Sequence, residues 1–182
     1  MKRQPEKFIF LDRDGVLIRD FGYNHKKSQL LPLKSTLNFL KVAKTFGYKF
    51  VIFSNQSGVG KGLFSNDDLI VFNNEFVSYF RSEGICFFNI YYCVHSDEDN
   101  CNCRKPKIGM FHSFLLEYDG DIDLRNSWMI GDKVSDIEFG RECNIKNLIL
   151  LKSSYHHEID SDSLLVMVEL NPEIIINYES SI

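Results

Sequence analysis

The sequence predicts an α/β fold in which a parallel sheet is flanked by helices. Three observations point to it. Short apolar runs recur along the chain, and several end in polar turn residues. Those runs are apolar throughout rather than alternating, as strands buried on both faces must be. Stretches with apolar residues at helical spacing lie between them, and strands alternating with helices build a parallel sheet.

The elements follow in order. Phe8-Ile9-Phe10-Leu11 is the first strand and ends in Asp12-Arg13-Asp14-Gly15. Leu37, Leu40, Ala43 and Phe46 mark an amphipathic helix closed by Gly47. Phe50-Val51-Ile52-Phe53 is the second strand, followed by Ser54-Asn55-Gln56. Ser65 and Asp68 form a capping box for a helix running to about Gly84. Ile90-Tyr91-Tyr92-Cys93 is the third strand, and a cysteine-rich loop follows it. A helix covers Met110 to Glu117, and Trp128-Met129-Ile130 is the fourth strand, leading into Gly131-Asp132. Val134 to about Cys143 reads as helix and Leu148 to Leu151 as the fifth strand. Leu164 to Val168 is a candidate sixth strand, and Asn171-Pro172 opens a short terminal helix. There is no repeat, low-complexity segment or linker, so residues 1–182 are read as one domain.

Composition narrows the function. Of the 182 residues 44% are apolar, enough for a core, and 25% are charged. The net charge of −4 counts against a nucleic-acid partner, because such domains carry a basic surplus. No apolar run approaches the length of a membrane span. The charged start, Met1 to Lys7, precedes too short an apolar stretch for a signal peptide. A cytoplasmic monomer without membrane or nucleic-acid partners is expected. Cys86 and Cys143 read as small buried apolar residues.

In parallel sheets ligands bind beyond the carboxyl ends of the strands. Three strand ends carry polar side chains there: Asp12 and Asp14, Ser54 and Asn55, and Asp132 and Asp136. Each alone also fits an ordinary turn or helix cap. Together, acids converging on one crevice repel unless a cation sits between them, and hard oxygen ligands select Mg²⁺. Ser54 offers a hydroxyl and Lys105 an ammonium, the donors a phosphoryl group needs, although a lone lysine is commonly a solvated surface charge. Gly58-Val59-Gly60-Lys61-Gly62 is not a nucleotide P-loop, because Gly62 stands where Mg²⁺ needs Ser or Thr.

Cys93-Val94-His95 and Cys101-Asn102-Cys103 supply three thiolates and an imidazole on either side of a loop without apolar residues. That spacing matches a closed Cys₃His structural zinc site. It reads as metal rather than disulfide chemistry. The zinc would fix the approach of Arg104 and Lys105, which follow the last ligand.

The joint pattern resembles the haloacid dehalogenase (HAD) superfamily of aspartyl phosphatases. Its four motifs stand in order as Asp12-Arg13-Asp14-Gly15-Val16, Ser54-Asn55, Lys105, and Gly131-Asp132 with Asp136. Val16 replaces the usual Thr and removes no catalytic group. The resemblance implies a Rossmann-like α/β fold. Asp12 would be the nucleophile and Asp14 the general acid and base. Mg²⁺ would lie on Asp12, the Asp14 carbonyl and Asp132. Ser54 and Lys105 would hold the phosphoryl oxygens, with Asp136 orienting Lys105. The zinc loop, at about 93–103, is similar to that of the zinc-containing heptose bisphosphate and histidinol-phosphate phosphatases, which lack a large cap domain. Asp20, Gly22 and Tyr23 match the heptose group's substrate segment, and Asn55 and Gln56 lean the same way. The five residues between the zinc-ligand pairs are more like the histidinol group. Arg104 and Lys133 would receive a second phosphate. The expected substrate is therefore a small phosphorylated metabolite, a sugar bisphosphate, namely a heptose 1,7-bisphosphate. The alternatives are histidinol phosphate or, in another class, a catalytically dead zinc-stapled binding module.

Overall fold

The strands are β1 (Phe8–Leu11), β2 (Lys49–Asn55), β3 (Phe87–Cys93), β4 (Trp128–Gly131), β5 (Asn147–Leu151) and β6 (Leu164–Met167). They form one sheet ordered β3-β2-β1-β4-β5-β6, with every neighbouring pair parallel. The helices are α1 (Lys34–Thr45), α2 (Asn66–Ser82), α3 (Gly109–Glu117), α4 (Val134–Glu142) and α5 (Glu173–Glu179). This computed structural model describes residues 4–151, 164–167 and 169–182.

Side chains on successive strand residues point to opposite faces, and both faces of this sheet are covered. Ile9, Leu11, Ile52 and Ile130 pack with Phe39 and Leu40 of α1 and with Phe72, Phe76 and Phe80 of α2. Phe8, Phe10, Val51, Phe53 and Met129 pack with Phe111 and Phe114 of α3 and with Ile137 and Phe139 of α4. Burial on both sides is why these strands read as continuous apolar runs. Phe114 meets the Phe8 ring edge-on at 5.3 Å and the Phe10 ring at 5.6 Å. Each such fully buried ring contributes about 1.5–3 kcal/mol.

The strand order reverses beside β1, where a doubly wound sheet opens its crevice. Leu11 lies opposite both Ile52 and Ile130, so β1 and β4 end within one residue of each other and β2 runs on to Asn55 beside them. Residues 12–33 and 56–65 connect β1 to α1 and β2 to α2, too short for an inserted cap domain. No described helix is long and apolar enough to cross a membrane.

The capping box at Ser65 is present: its Oγ accepts from the Asp68 N–H at 3.1 Å, and the Asp68 carboxylate accepts from the Ser65 N–H at 2.8 Å. Some boundaries differ from expectation. α1 starts at Lys34, one turn before its first apolar marker. β3 starts at Phe87, because Phe88 and Asn89 are exposed on an edge strand and break the apolar run. Pro172 caps α5 instead of opening it. β6 ends at Met167, and Val168 lies outside the described residues. Cys143 is buried as expected, but Cys86 is exposed. Its neighbour Ile85 takes the inward position, which turns Cys86 outward at the start of the edge strand.

Candidate active site

The aligned strand ends bring Asp12, Asp132 and Asp136 together, with carboxylate oxygens within 4.8 Å of one another and all three side chains buried. Gly15 permits this closeness. It adopts φ +83°, and a Cβ there would fall 2.4 Å from Asp132 Oδ2. Burial pushes the Asp132 carboxyl up to about 8, and the charges of Asp12 and Asp136 add to the effect. Burial likewise raises Asp136, against the opposing pull of Lys105.

Lys105 enters this cluster almost fully buried. Its Nζ lies 2.6 Å from Asp12 Oδ1 and 2.7 Å from Asp136 Oδ1, and it donates to the Phe53 carbonyl. Burial alone would lower its pKa, but the two carboxylates hold it above the ordinary value. Asp136 Oδ2 also accepts from the Lys133 N–H at 3.0 Å, which locks its carboxylate at the start of α4.

Asp14 does not join the acid cluster. The sequence suggested that both motif aspartates face one point, but the adjacent Arg13 and donors from two other segments take up the Asp14 side chain. Its Oδ2 accepts from Arg13 Nη2 at 2.9 Å and Gln56 Nε2 at 2.8 Å, and its Oδ1 accepts from Asn24 Nδ2 at 2.8 Å. Its carboxylate still lines a cavity of about 430 Å³ in front of the cluster, shared with Asp20, Tyr23, Arg104 and Lys133. Gln56 also donates to Ser54 Oγ at 2.8 Å. Asn55 pairs both ends of its amide with the Lys105 backbone, at 3.0 and 3.2 Å. Asn55 and Gln56 thus brace neighbouring site residues, and both also line the cavity.

The cavity rim carries paired charges. Arg104 Nη2 lies 2.5 Å from Asp97, and Lys133 lies 3.6 Å from Asp20. Arg104 Nη1 is buried without a hydrogen-bond partner among the described residues. Lys61 donates to the Tyr23 hydroxyl at 3.2 Å. Asp20 accepts from the Gly22 N–H at 2.7 Å, which bends this loop over the cavity.

The cysteine loop gathers as its spacing suggests. The Sγ atoms of Cys93, Cys101 and Cys103 lie 3.1–3.5 Å apart, and His95 Nδ1 is 3.2 Å from Cys103 Sγ. A tetrahedron with zinc–ligand distances of about 2.0–2.3 Å has edges only slightly longer, so these four residues fit the ion. Burial works against the Cys101 thiolate, but donors led by the Arg104 N–H outweigh it and bring its pKa down to about 7. Gly60 leans on this loop, donating to the Val94 carbonyl at 2.9 Å. The hard oxygens of Asp12 and Asp132 fit Mg²⁺ equally well.

Sequence reasoning missed Arg13 and Asn24, both fully buried beside Asp14. A basic residue between two aspartates directly after a buried strand was the available sign for Arg13. Nothing in the sequence marked Asn24.

Residues 7–165 match the polynucleotide kinase 3 phosphatase family. The chain is 38% identical over 154 residues to the D-glycero-beta-D-manno-heptose-1,7-bisphosphate 7-phosphatase of Pasteurella multocida, spanning 81% of this chain and 83% of that protein. It is 35% identical over 150 residues to the histidine biosynthesis bifunctional protein HisB of Legionella pneumophila, spanning 81% of this chain but 42% of that protein. Among solved structures, the D,D-heptose 1,7-bisphosphate phosphatase from B. bronchiseptica, complexed with magnesium and phosphate, aligns with a TM-score of 0.77. It covers 97% of this chain and 99% of its own at 23% identity, which is a likeness of fold. That likeness bears out the HAD fold read from the four motifs. With a family match over most of its length and named phosphatases among its relatives, the chain is a phosphatase that belongs to the polynucleotide kinase 3 phosphatase family.

Proposed function

We propose that the protein removes the 7-phosphate of D-glycero-D-manno-heptose 1,7-bisphosphate through an aspartyl-phosphate, with Mg²⁺ at the strand ends and structural zinc in the cysteine loop. One observation carries the substrate reading. A single cavity is lined by Lys105, which pairs with Asp12 at 2.6 Å, and by Arg104 and Lys133 at its rim. Arg104 lines the cavity, and its guanidinium could pair with a second phosphate. A planar fork and a point charge beyond the reacting phosphoryl suit a substrate charged at both ends.

The residues divide the work. Asp12 attacks phosphorus while Lys105 and Ser54 hold the phosphoryl oxygens. Asp14 gives a proton to the leaving oxygen and then takes one from the water that cleaves the aspartyl-phosphate. Asp136 keeps Lys105 in place, at 2.7 Å. When bound, Mg²⁺ supplies the charge that lets carboxylate and phosphoryl oxygens approach. The zinc loop sets the direction of Arg104.

A second reading, histidinol phosphate, is favoured by the acids at the same rim. Asp20 and Asp97 would receive a positively charged amine in place of a distal phosphate. Side-by-side assays decide between them. We expect kcat/KM at least tenfold higher for the heptose bisphosphate, equivalent to about 1.4 kcal/mol of transition-state binding. Arg104→Ala should narrow that gap. The reverse preference would reject the heptose substrate and leave the phosphatase intact.

A further inference from the structure

The Asp14 carboxylate sits in a network that the proposed chemistry does not by itself require. Arg13 is fully buried, and its guanidinium is fixed on every side. Nη1 donates to Asn73 Oδ1 at 2.8 Å, and Nη2 donates to the Asn24 carbonyl at 2.8 Å and to Gln56 Oε1 at 2.9 Å. The guanidinium carbon lies 4.7 Å from the Phe72 ring centroid. Nε and Nη2 both reach Asp14 Oδ2, at 3.2 and 2.9 Å. Burying an arginine is costly unless each donor is paired, and a plain Asp-x-Asp turn would need no such group.

Asn24 is the second support. Its Nδ2 donates to Asp14 Oδ1 and to the Arg19 carbonyl, both at 2.8 Å, and its Oδ1 accepts from the Phe21 N–H at 3.1 Å. It is therefore anchored within the loop that carries Asp20, Gly22 and Tyr23 to the cavity. A carboxylate on two rotatable bonds transfers a proton efficiently only when held within about 0.5 Å and 10–20° of its productive place.

We propose that Arg13 and Asn24 are positioning residues that hold the Asp14 carboxylate for proton transfer, and that Asn24 ties this placement to the loop of residues 19–24. The proposal rests on the phosphatase reading above, with Asp14 as general acid. It separates from a purely structural role through the leaving group. Transfer of the phosphoryl group to Asp12 breaks the ester P–O bond. A sugar alkoxide needs the Asp14 proton as it departs, whereas 2,4-dinitrophenolate departs without one.

The test is kcat/KM, which reports that first transfer, for heptose 1,7-bisphosphate and 2,4-dinitrophenyl phosphate with Asn24→Ala and Arg13→Lys. Asn24→Ala should lose at least about tenfold more on the sugar ester than on the aryl ester, the lower part of the range a general acid contributes. Arg13→Lys keeps the charge but loses the fork, so it should show the same asymmetry. Equal losses on both esters, or none on either, would overturn the proposal. If the wild type cleaves only the aryl ester and histidinol phosphate, the comparison runs on those two with the same expectations. A wild type that cleaves no ester overturns the phosphatase reading, and the proposal with it.

Discussion

Lys105 is where residue-scale energetics are most demanding. A side chain with 1% exposure keeps its charge only because Asp12 and Asp136 flank the ammonium at 2.6 and 2.7 Å. The same pairs fix the direction of Asp12, the proposed nucleophile. Asp12→Asn should therefore abolish turnover, since an amide is a poor nucleophile. Near-normal rates in that variant would remove the aspartyl-phosphate mechanism. Asp14→Asn should retain substrate binding, seen as an unchanged inhibition constant for inorganic phosphate, and lose roughly 10²-fold or more in kcat. Both aspartates were legible in the sequence because they directly follow a fully apolar strand. Arg13 was not, because its partners Asn24, Gln56 and Asn73 come from three separate segments and only the fold brings them together.

At the scale of elements, the strand ends and the cysteine loop were readable for different physical reasons. Strands buried on both faces leave continuous apolar runs, so β1, β2, β4 and β5 showed themselves. β3 lies at the sheet edge with Phe88 and Asn89 exposed, so its first residues carried no such signature. Metal-ligand spacing is a local pattern, and Cys93, His95, Cys101 and Cys103 do meet within 4.8 Å. The residues between the ligand pairs have nothing apolar to pack, and polar contacts such as Ser96 with Asp99 and Lys107 with Asn100 tie the loop together. Metal affinity at such a site is folding free energy. Purified chain prepared without chelators should contain about one zinc, by the four-ligand count. Cys101→Ser should lower both Tm and activity, because Arg104 and Lys105 follow the last ligand. Elemental analysis finding no zinc, or a Cys101→Ser variant as stable and active as the parent, would refute the structural-metal reading.

At the scale of the whole molecule, stability and activity pull against each other at the strand ends. The two apolar layers are complete without the acid cluster, which adds three buried carboxylates and one ammonium at the carboxyl ends of the central strands. Asp132 carries an unfavourable share, pushed up to about 8 by burial first and then by Asp12 and Asp136. An unfolded aspartate titrates near 3.9. A group whose folded pKa is raised gives its full stability below the unfolded value and loses it as pH rises through the folded one. Through Asp132 the metal-free chain should therefore weaken from about pH 4 towards about pH 8. Two consequences are measurable by thermal unfolding. Mg²⁺, binding the folded state alone, should raise Tm more at pH 8 than at pH 5. Asp132→Asn, which removes one of the repelling charges, should raise the Tm of metal-free protein at pH 8, abolish most of the Mg²⁺ increment and inactivate the enzyme, a trade of function for stability. A Tm that falls in metal-free Asp132→Asn at pH 8 would mean that the carboxylate stabilises the fold, and that its place beside Asp12 is structural rather than kept for a cation.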